Sequence, residues 1–284
     1  MTGAPFIKMQ GLGNDFVVFD GRAASVDLDP ARLRAIADRR CGVGCDQIIV
    51  IQPGADGVDA RMEIRNADGG AAEACGNGAR CVAMLLMDES GRDRVTIGSP
   101  AGIIECSRGG GGMITVDMGA ARLDWRDIPL DCERDTLELV VDYPDGFADL
   151  GPAVAVGMGN PHAVIFVDDV EAVDVEWLGP HLEHSARYPE RANVEFAQVT
   201  APDKIRMRVW ERGVGITRAC GTGACATAVA AARRGLTGRA VEVALDGGTL
   251  HIEWRDDGHV LMTGPAAESF RGALPENLSP GESP

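Results

Sequence analysis

The chain has 284 residues, 45% of them hydrophobic, with 43 acidic against 27 basic side chains and a formal net charge of −16. That is enough apolar material for a core in each of two ordinary domains, which excludes a disordered class, and the acidic balance argues against a nucleic-acid-binding surface. The sequence shows neither a signal-peptide pattern nor an apolar run long enough to span a membrane, so a soluble, cytoplasmic protein is expected.

From the N-terminus, residues 5–9 and 15–20 read as strands joined by the tight turn Gly11-Leu-Gly13-Asn14. Asp29-Pro30 starts a helix predicted to run to about residue 40, with Asp29 capping and Pro30 at the first helical position. Segments 47–52 and 60–66 are predicted strands, the second alternating Met62 and Ile64 with charged residues. Asn77 is the expected N-cap of a helix that carries Cys81, Met84, Leu85 and Met87 and stops at Gly91. Strands near 94–98, 102–106 and 113–119 follow, with the glycines of 109–112 as a flexible hairpin tip. The stretch 120–135 has no period and reads as a linker. The second half repeats the order: strands near 153–158 and 163–168, a helix over 173–185, and strands near 193–199 and 204–211. A helix opened by Thr222 then runs to Arg234, and strands lie near 240–245, 249–254 and 259–263. The tail from Gly272, with three prolines, is expected to be disordered.

The repetition extends to residues. Cys75-Gly-Asn77-Gly78 is echoed by Cys220-Gly-Thr222-Gly223 at an offset of 145, and Gly11-Leu-Gly13-Asn14 by Gly157-Met-Gly159-Asn160 at 146. We read an internal duplication and an α+β chain of two pseudo-symmetric halves, 1–120 and 121–265, with 266–284 returning to the first half or disordered. Each half is strand-rich with a long helix after its cysteine loop. The Ala226–232 run, interrupted only by Thr227, is apolar nearly all round and suits a helix wrapped by sheet.

Cys-Gly-x-Gly at a helix start sets a sulfur beside backbone N–H groups and the positive end of the helix dipole. Both favour a thiolate, so a thiol pKa below about 8.5 is expected. Two such sulfurs facing one cleft would place one on each face of a carbanion, a geometry for taking a proton from one side of a carbon and returning one to the other. The substrate's carboxylate would rest on helix N–H groups. Asn14 and Asn160 lie on the duplicated turns, and Gln47 matches Asn193, as Asn66 matches Glu211. Arg212 can clamp a carboxylate and Glu211 can pair with an ammonium, so a zwitterionic substrate fits. Lys8 and Lys204 are the only lysines, a poor basis for a pyridoxal Schiff base. A redox dithiol would use Cys-x-x-Cys, which the sequence lacks.

At these residues the chain resembles a known family. Lys8-Met-Gln-Gly-Leu-Gly-Asn14-Asp-Phe, Gly42-Val-Gly-Cys-Asp-Gln47, Asn66-Ala-Asp-Gly, Cys75-Gly-Asn-Gly-Ala-Arg-Cys, Gly159-Asn160-Pro-His162, Glu211-Arg212-Gly and Ala219-Cys220-Gly-Thr-Gly-Ala-Cys are similar to diaminopimelate epimerases. The resemblance runs from about residue 6 to 265. It implies a cofactor-free epimerase interconverting LL- and meso-diaminopimelate for lysine and cell-wall synthesis, with Cys75 and Cys220 as the acid/base pair. It further implies substrate contacts from Asn14, Gln47, Asn66, Asn160, Asn193, Glu211 and Arg212 and from the backbones of Gly76, Asn77, Gly221 and Thr222. His162 and Glu211 would tune the thiols. The implied fold is a mixed sheet curled around a central helix in each half, and the implied assembly a homodimer. Gln10, Gly70, Ile216 and Phe270 depart from the usual pattern, Ile216 being the one expected to alter polarity near the site.

Two rivals stand beside this reading. A proline racemase or hydroxyproline epimerase shares the two-base logic without needing the distal Arg212/Glu211 clamp, and a thiol sensor or metal-binding protein would use the same cysteines without turnover. No metal site is expected. Cys41, Cys45, Cys81, Cys106, Cys132 and Cys225 read as small apolar fillers, and His181 and His184 as a solvated helix face.

Overall fold

The structure, a computed structural model, describes residues 3–26, 28–72, 75–144, 147 and 150–275. The chain divides into two compact units: Met1–Val116 with Gly264–Pro284, and Asp117–Thr263.

In the first unit, the strands Pro5–Gly11 and Asn14–Asp20 form an antiparallel hairpin. Its turn holds Leu12 and Gly13 at φ 59° and 82°, the left-handed pair that a two-residue hairpin requires. Asn14–Asp20 then pairs in parallel with Gln47–Pro53, which pairs antiparallel with Ala60–Asn66. Between these strands runs helix α1 (Pro30–Ala37), capped by Asp29, whose carboxylate accepts from Arg32 N–H at 2.8 Å. It ends three residues before the predicted stop. Asp38 leaves helical geometry and its carboxylate accepts the backbone N–H groups of Arg40 and Cys41, tying the chain into a turn instead.

Helix α2 (Gly76–Ser90) packs on the strands Pro5–Gly11, Arg94–Ser99 and Gly102–Arg108 and buries Val82, Leu85, Leu86 and Met87. Gly91, at φ 68°, closes it in the left-handed conformation glycine adopts without cost. A last strand, Ala267–Ala273, pairs antiparallel with Pro5–Gly11, and Leu274 behind it is buried. Disorder from Gly272 is therefore wrong for residues 272–275, while 276–284 lie outside the described residues. The strand escaped sequence reading because most of it is exposed on both faces and carries no apolar alternation.

The second unit uses the same pairings. Pro161–Phe166 runs antiparallel to Val154–Gly157 and parallel to Asn193–Ala201, which pairs antiparallel with Lys204–Glu211. His162 lies opposite Asn193, as Phe16 lies opposite Gln47 in the first unit. Helix α3 (Val175–Glu183) covers the Trp210 ring. Helix α4 (Gly221–Arg233) is buried along nearly its whole length and packs on six strands of its unit. Its alanines let those strands approach closely from every side. The chain is thus α+β and internally duplicated, each unit a mixed parallel and antiparallel sheet about one long helix.

The stretch 120–135 is not a free linker. Arg122 exchanges backbone hydrogen bonds with Gly157, and Ile128 and Leu130 are buried in the second unit's core beside Val170, Leu178 and Phe196. Its apolar residues are anchored by irregular backbone, so no period announces them.

Candidate active site

Each unit holds one cysteine at a helix start, and in both cases the cysteine itself is the N-cap. Cys75 precedes α2 in extended conformation, and its Sγ accepts from Gly78 N–H at 3.3 Å. Cys220 precedes α4 in the same way, with Sγ 3.3 Å from Gly223 N–H. Sequence reasoning gave the caps to Asn77 and Thr222. Those side chains lie two positions further in, because sulfur reaches the third N–H as serine oxygen does at an ordinary cap. The glycines make room for this: a Cβ on Gly223 would fall 2.7 Å from Glu195 Oε1 and 3.1 Å from the Cys220 sulfur.

In the first unit, Asn14 Oδ1 lies 3.8 Å from Cys75 Sγ and accepts from Asn77 Nδ2 at 3.1 Å. Asn14 Nδ2 donates to Asp46 at 2.9 Å, which fixes the amide with its oxygen toward the sulfur. Asp46 and Asp15 share Arg39, and Lys8 bonds Asp15 at 2.5 Å. Burial alone would raise the Asp15 pKa, but the hydrogen bonds from Arg39 and Lys8 outweigh it and hold the carboxyl at about 2. Gln47 Nε2 donates to Asn66 Oδ1 at 2.9 Å across the adjoining strands.

The second unit's cysteine has a more acidic setting. Glu211, at a strand end, accepts from the Thr217 hydroxyl and lies near the Cys220 thiol, and burial pushes its carboxyl pKa up. Thr222 Oγ1 lies 3.6 Å from Cys220 Sγ and 3.5 Å from Asn160 Nδ2. Asn160 Oδ1 is 2.9 Å from His162 Nε2, and His162 Nδ1 is 2.7 Å from Glu195 Oε1. Asn193 is engaged at both ends of its amide, donating to the Pro161 carbonyl at 3.1 Å and accepting Arg212 N–H at 2.9 Å. The Arg212 side chain is exposed and reaches the Glu190 carbonyl. The two strand-end residues therefore diverge, Glu211 inward to the thiol and Arg212 outward.

A lowered thiol pKa is overturned for Cys220. Its value is pushed well up, first by burial, then by the charges of Glu211 and Glu195, against the bonds from Thr222 and Gly223 N–H. Magnitudes decide this: a helix terminus contributes about 0.3–2 kcal/mol. Complete burial moves a pKa by as much as about 3–5 units, at about 1.4 kcal/mol each. Glu195 was missed from sequence. In Asn193-Val-Glu195-Phe it alternates with apolar residues like a solvent-facing position, yet both faces of that strand are buried. Cys45, Cys81, Cys106 and Cys225 are buried, as fillers should be, but Cys41 and Cys132 are exposed on turns and fill nothing.

Solved structures share the two-halved fold across nearly the whole chain. A structure described as a predicted epimerase from Pseudomonas aeruginosa matches with TM-score 0.67 at 20% identity, covering 95% of this chain and 99% of that one. A probable proline racemase from Agrobacterium radiobacter matches with TM-score 0.67 at 15% identity, covering 96% and 93%. The family match and relatives below give the class: an amino-acid epimerase, an isomerase. The family model for diaminopimelate epimerase matches residues 6–123 and 154–268. Diaminopimelate epimerases of Rhodospirillum centenum and Acidiphilium cryptum are 59% and 54% identical, over 98% and 95% of this chain and 95% and 96% of theirs. The chain belongs to the diaminopimelate epimerase family.

Proposed function

We propose that the protein interconverts LL- and meso-2,6-diaminopimelate, with Cys75 and Cys220 as the acid/base pair acting on one α-carbon. The observation that carries this reading is the duplicated cap: each half sets a cysteine sulfur at the start of its long helix, in a family named for this epimerisation. One sulfur, as thiolate, takes the α-proton; its S–H bond forms as the C–H bond breaks. The other, as thiol, gives its proton to the opposite face, and configuration inverts. The reverse direction exchanges the roles. The raised Cys220 pKa supports Cys220 as the thiol at rest and Cys75 as the base.

The first-turn N–H groups of Gly76, Asn77, Gly221 and Thr222 would hold the substrate carboxylate and take up charge as the carbanion develops. Asn14, Gln47 and Asn66 would orient the reacting centre from the first half, and Asn160 from the second. Arg212, held by Asn193 through its backbone, would meet the distal carboxylate, and Glu211 and His162 would act on Cys220. The same reading makes the enzyme cofactor-independent and a cytoplasmic homodimer in lysine and peptidoglycan precursor synthesis.

Incorporation of solvent deuterium at the α-carbon of LL-diaminopimelate tests the proposal. Wild type is expected to label the carbon and form the meso isomer, while Cys75→Ala and Cys220→Ala each abolish epimerisation. Near-normal turnover in either variant sinks the two-base assignment. Turnover of proline in place of diaminopimelate, or stoichiometric zinc binding without turnover, sinks the substrate assignment.

A further inference from the structure

We propose that Glu195 is a positioning residue for Cys220, acting through His162, Asn160 and Thr222 as one hydrogen-bonded chain. The inference rests on the reading that Cys220 exchanges a proton with substrate. Four contacts make the chain continuous: Glu195 to His162 at 2.7 Å, His162 to Asn160 at 2.9 Å, Asn160 to Thr222 at 3.5 Å and Thr222 to Cys220 at 3.6 Å.

The chain has a direction. With Glu195 as carboxylate, the ring that satisfies both of its contacts is the imidazolium, which donates from Nδ1 to Glu195 and from Nε2 to the Asn160 carbonyl oxygen. The Asn160 NH2 is then turned to Thr222 and donates to its oxygen. With that oxygen engaged as an acceptor, the hydroxyl hydrogen is left for the Cys220 sulfur. A donor aimed at sulfur stabilises the thiolate that forms as Cys220 gives up its proton, offsetting part of the burial and carboxylate repulsion that oppose it.

The burial pattern favours positioning over scaffolding. Glu195 and His162 are wholly buried, and among the described residues Glu195 Oε2 has no hydrogen-bond partner. Leaving a buried acceptor unsatisfied costs about 1–3 kcal/mol, so a side chain kept for stability alone would be better replaced by an apolar one. The other titratable groups around the chain are Glu211 at the sulfur and Tyr188, whose hydroxyl donates to the His162 carbonyl at 3.3 Å. Neither is hydrogen-bonded to the His162 ring nitrogens, which leaves Glu195, among the described residues, as the titratable group that orients the ring, opposite the Asn160 amide.

A double-mutant cycle tests this on the full-length enzyme. Glu195→Gln and Thr222→Val are each expected to lower kcat at least tenfold with KM within twofold of wild type. The pair together should be no more than twofold slower than Thr222→Val alone. Effects that multiply, or a loss confined to KM, overturn the chain. A second readout needs no turnover: the ring ¹⁵N signals of His162, assigned with His162→Gln, should move in both Glu195→Gln and Thr222→Val. Signals unmoved by Thr222→Val overturn the proposal even if the enzyme is active. Absent wild-type epimerisation, by contrast, overturns the functional reading and leaves this spectroscopic test standing. Should Glu195→Gln fail to fold, Glu195→Asp, which keeps the charge and withdraws the oxygen from Nδ1, takes its place.

Discussion

Two sulfurs in equivalent positions are given unlike surroundings. Cys75 is partly exposed and neighbours the neutral Asn14 amide, whereas Cys220 is buried beside Glu211. Replacing Glu211 by Gln removes a negative charge that opposes the Cys220 thiolate, so the thiol titrates at lower pH. If activity requires Cys220 as thiol, the high-pH fall in kcat/KM must begin earlier in Glu211→Gln than in wild type. A pH–rate profile with an unchanged basic limb would remove Glu211 from the thiol's environment. The sequence announced both cysteines, because glycines at a helix start are conspicuous. It did not announce which side chain caps, since a sulfur cap reads like any Cys-Gly pair. Nor did it reveal Glu195, whose burial depends on what covers both faces of its strand.

At the scale of elements, α3 bears on the second cysteine indirectly. Glu183 accepts Trp210 Nε1–H at 2.7 Å and Gly213 N–H at 3.0 Å, bracketing the turn that carries Glu211 and Arg212. Gly179 lies flat on the indole, and a Cβ there would land on ring carbons. Gly179→Ala should therefore cost about 1–3 kcal/mol of stability from overpacking, measurable by urea unfolding. A loss below about 0.5 kcal/mol would mean that helix and ring can part freely. Strands with an apolar period were legible within a residue or two, and so was α2 with its glycine stop. The strand Ala267–Ala273 was not, because it pairs by backbone alone along much of its length, with Phe270 edge-on to Phe6 at 6.0 Å as its main apolar contact.

For the whole molecule, the duplication was legible because constant offsets of 145 and 146 connect several segments at once. The stretch 120–135 was misread because its buried residues answer to contacts and not to a period. A net charge of −16 on 284 residues means that the folded chain repels itself at neutral pH. Added sodium chloride screens that repulsion, with a Debye length of about 10 Å at 0.1 M, so Tm should rise by a few degrees between low salt and 0.5 M. A flat or falling Tm would show that the surface ion pairs outweigh the repulsion.

The first strand, Pro5–Gly11, takes one of its two neighbours from residues 267–273. During synthesis that partner is still unmade when Thr263 has just been added to the chain. The contiguous second unit has all its residues by then, whereas the first still lacks the strand 267–273. Vectorial synthesis, which usually lets the leading domain finish first, is here obliged to complete the trailing one before it.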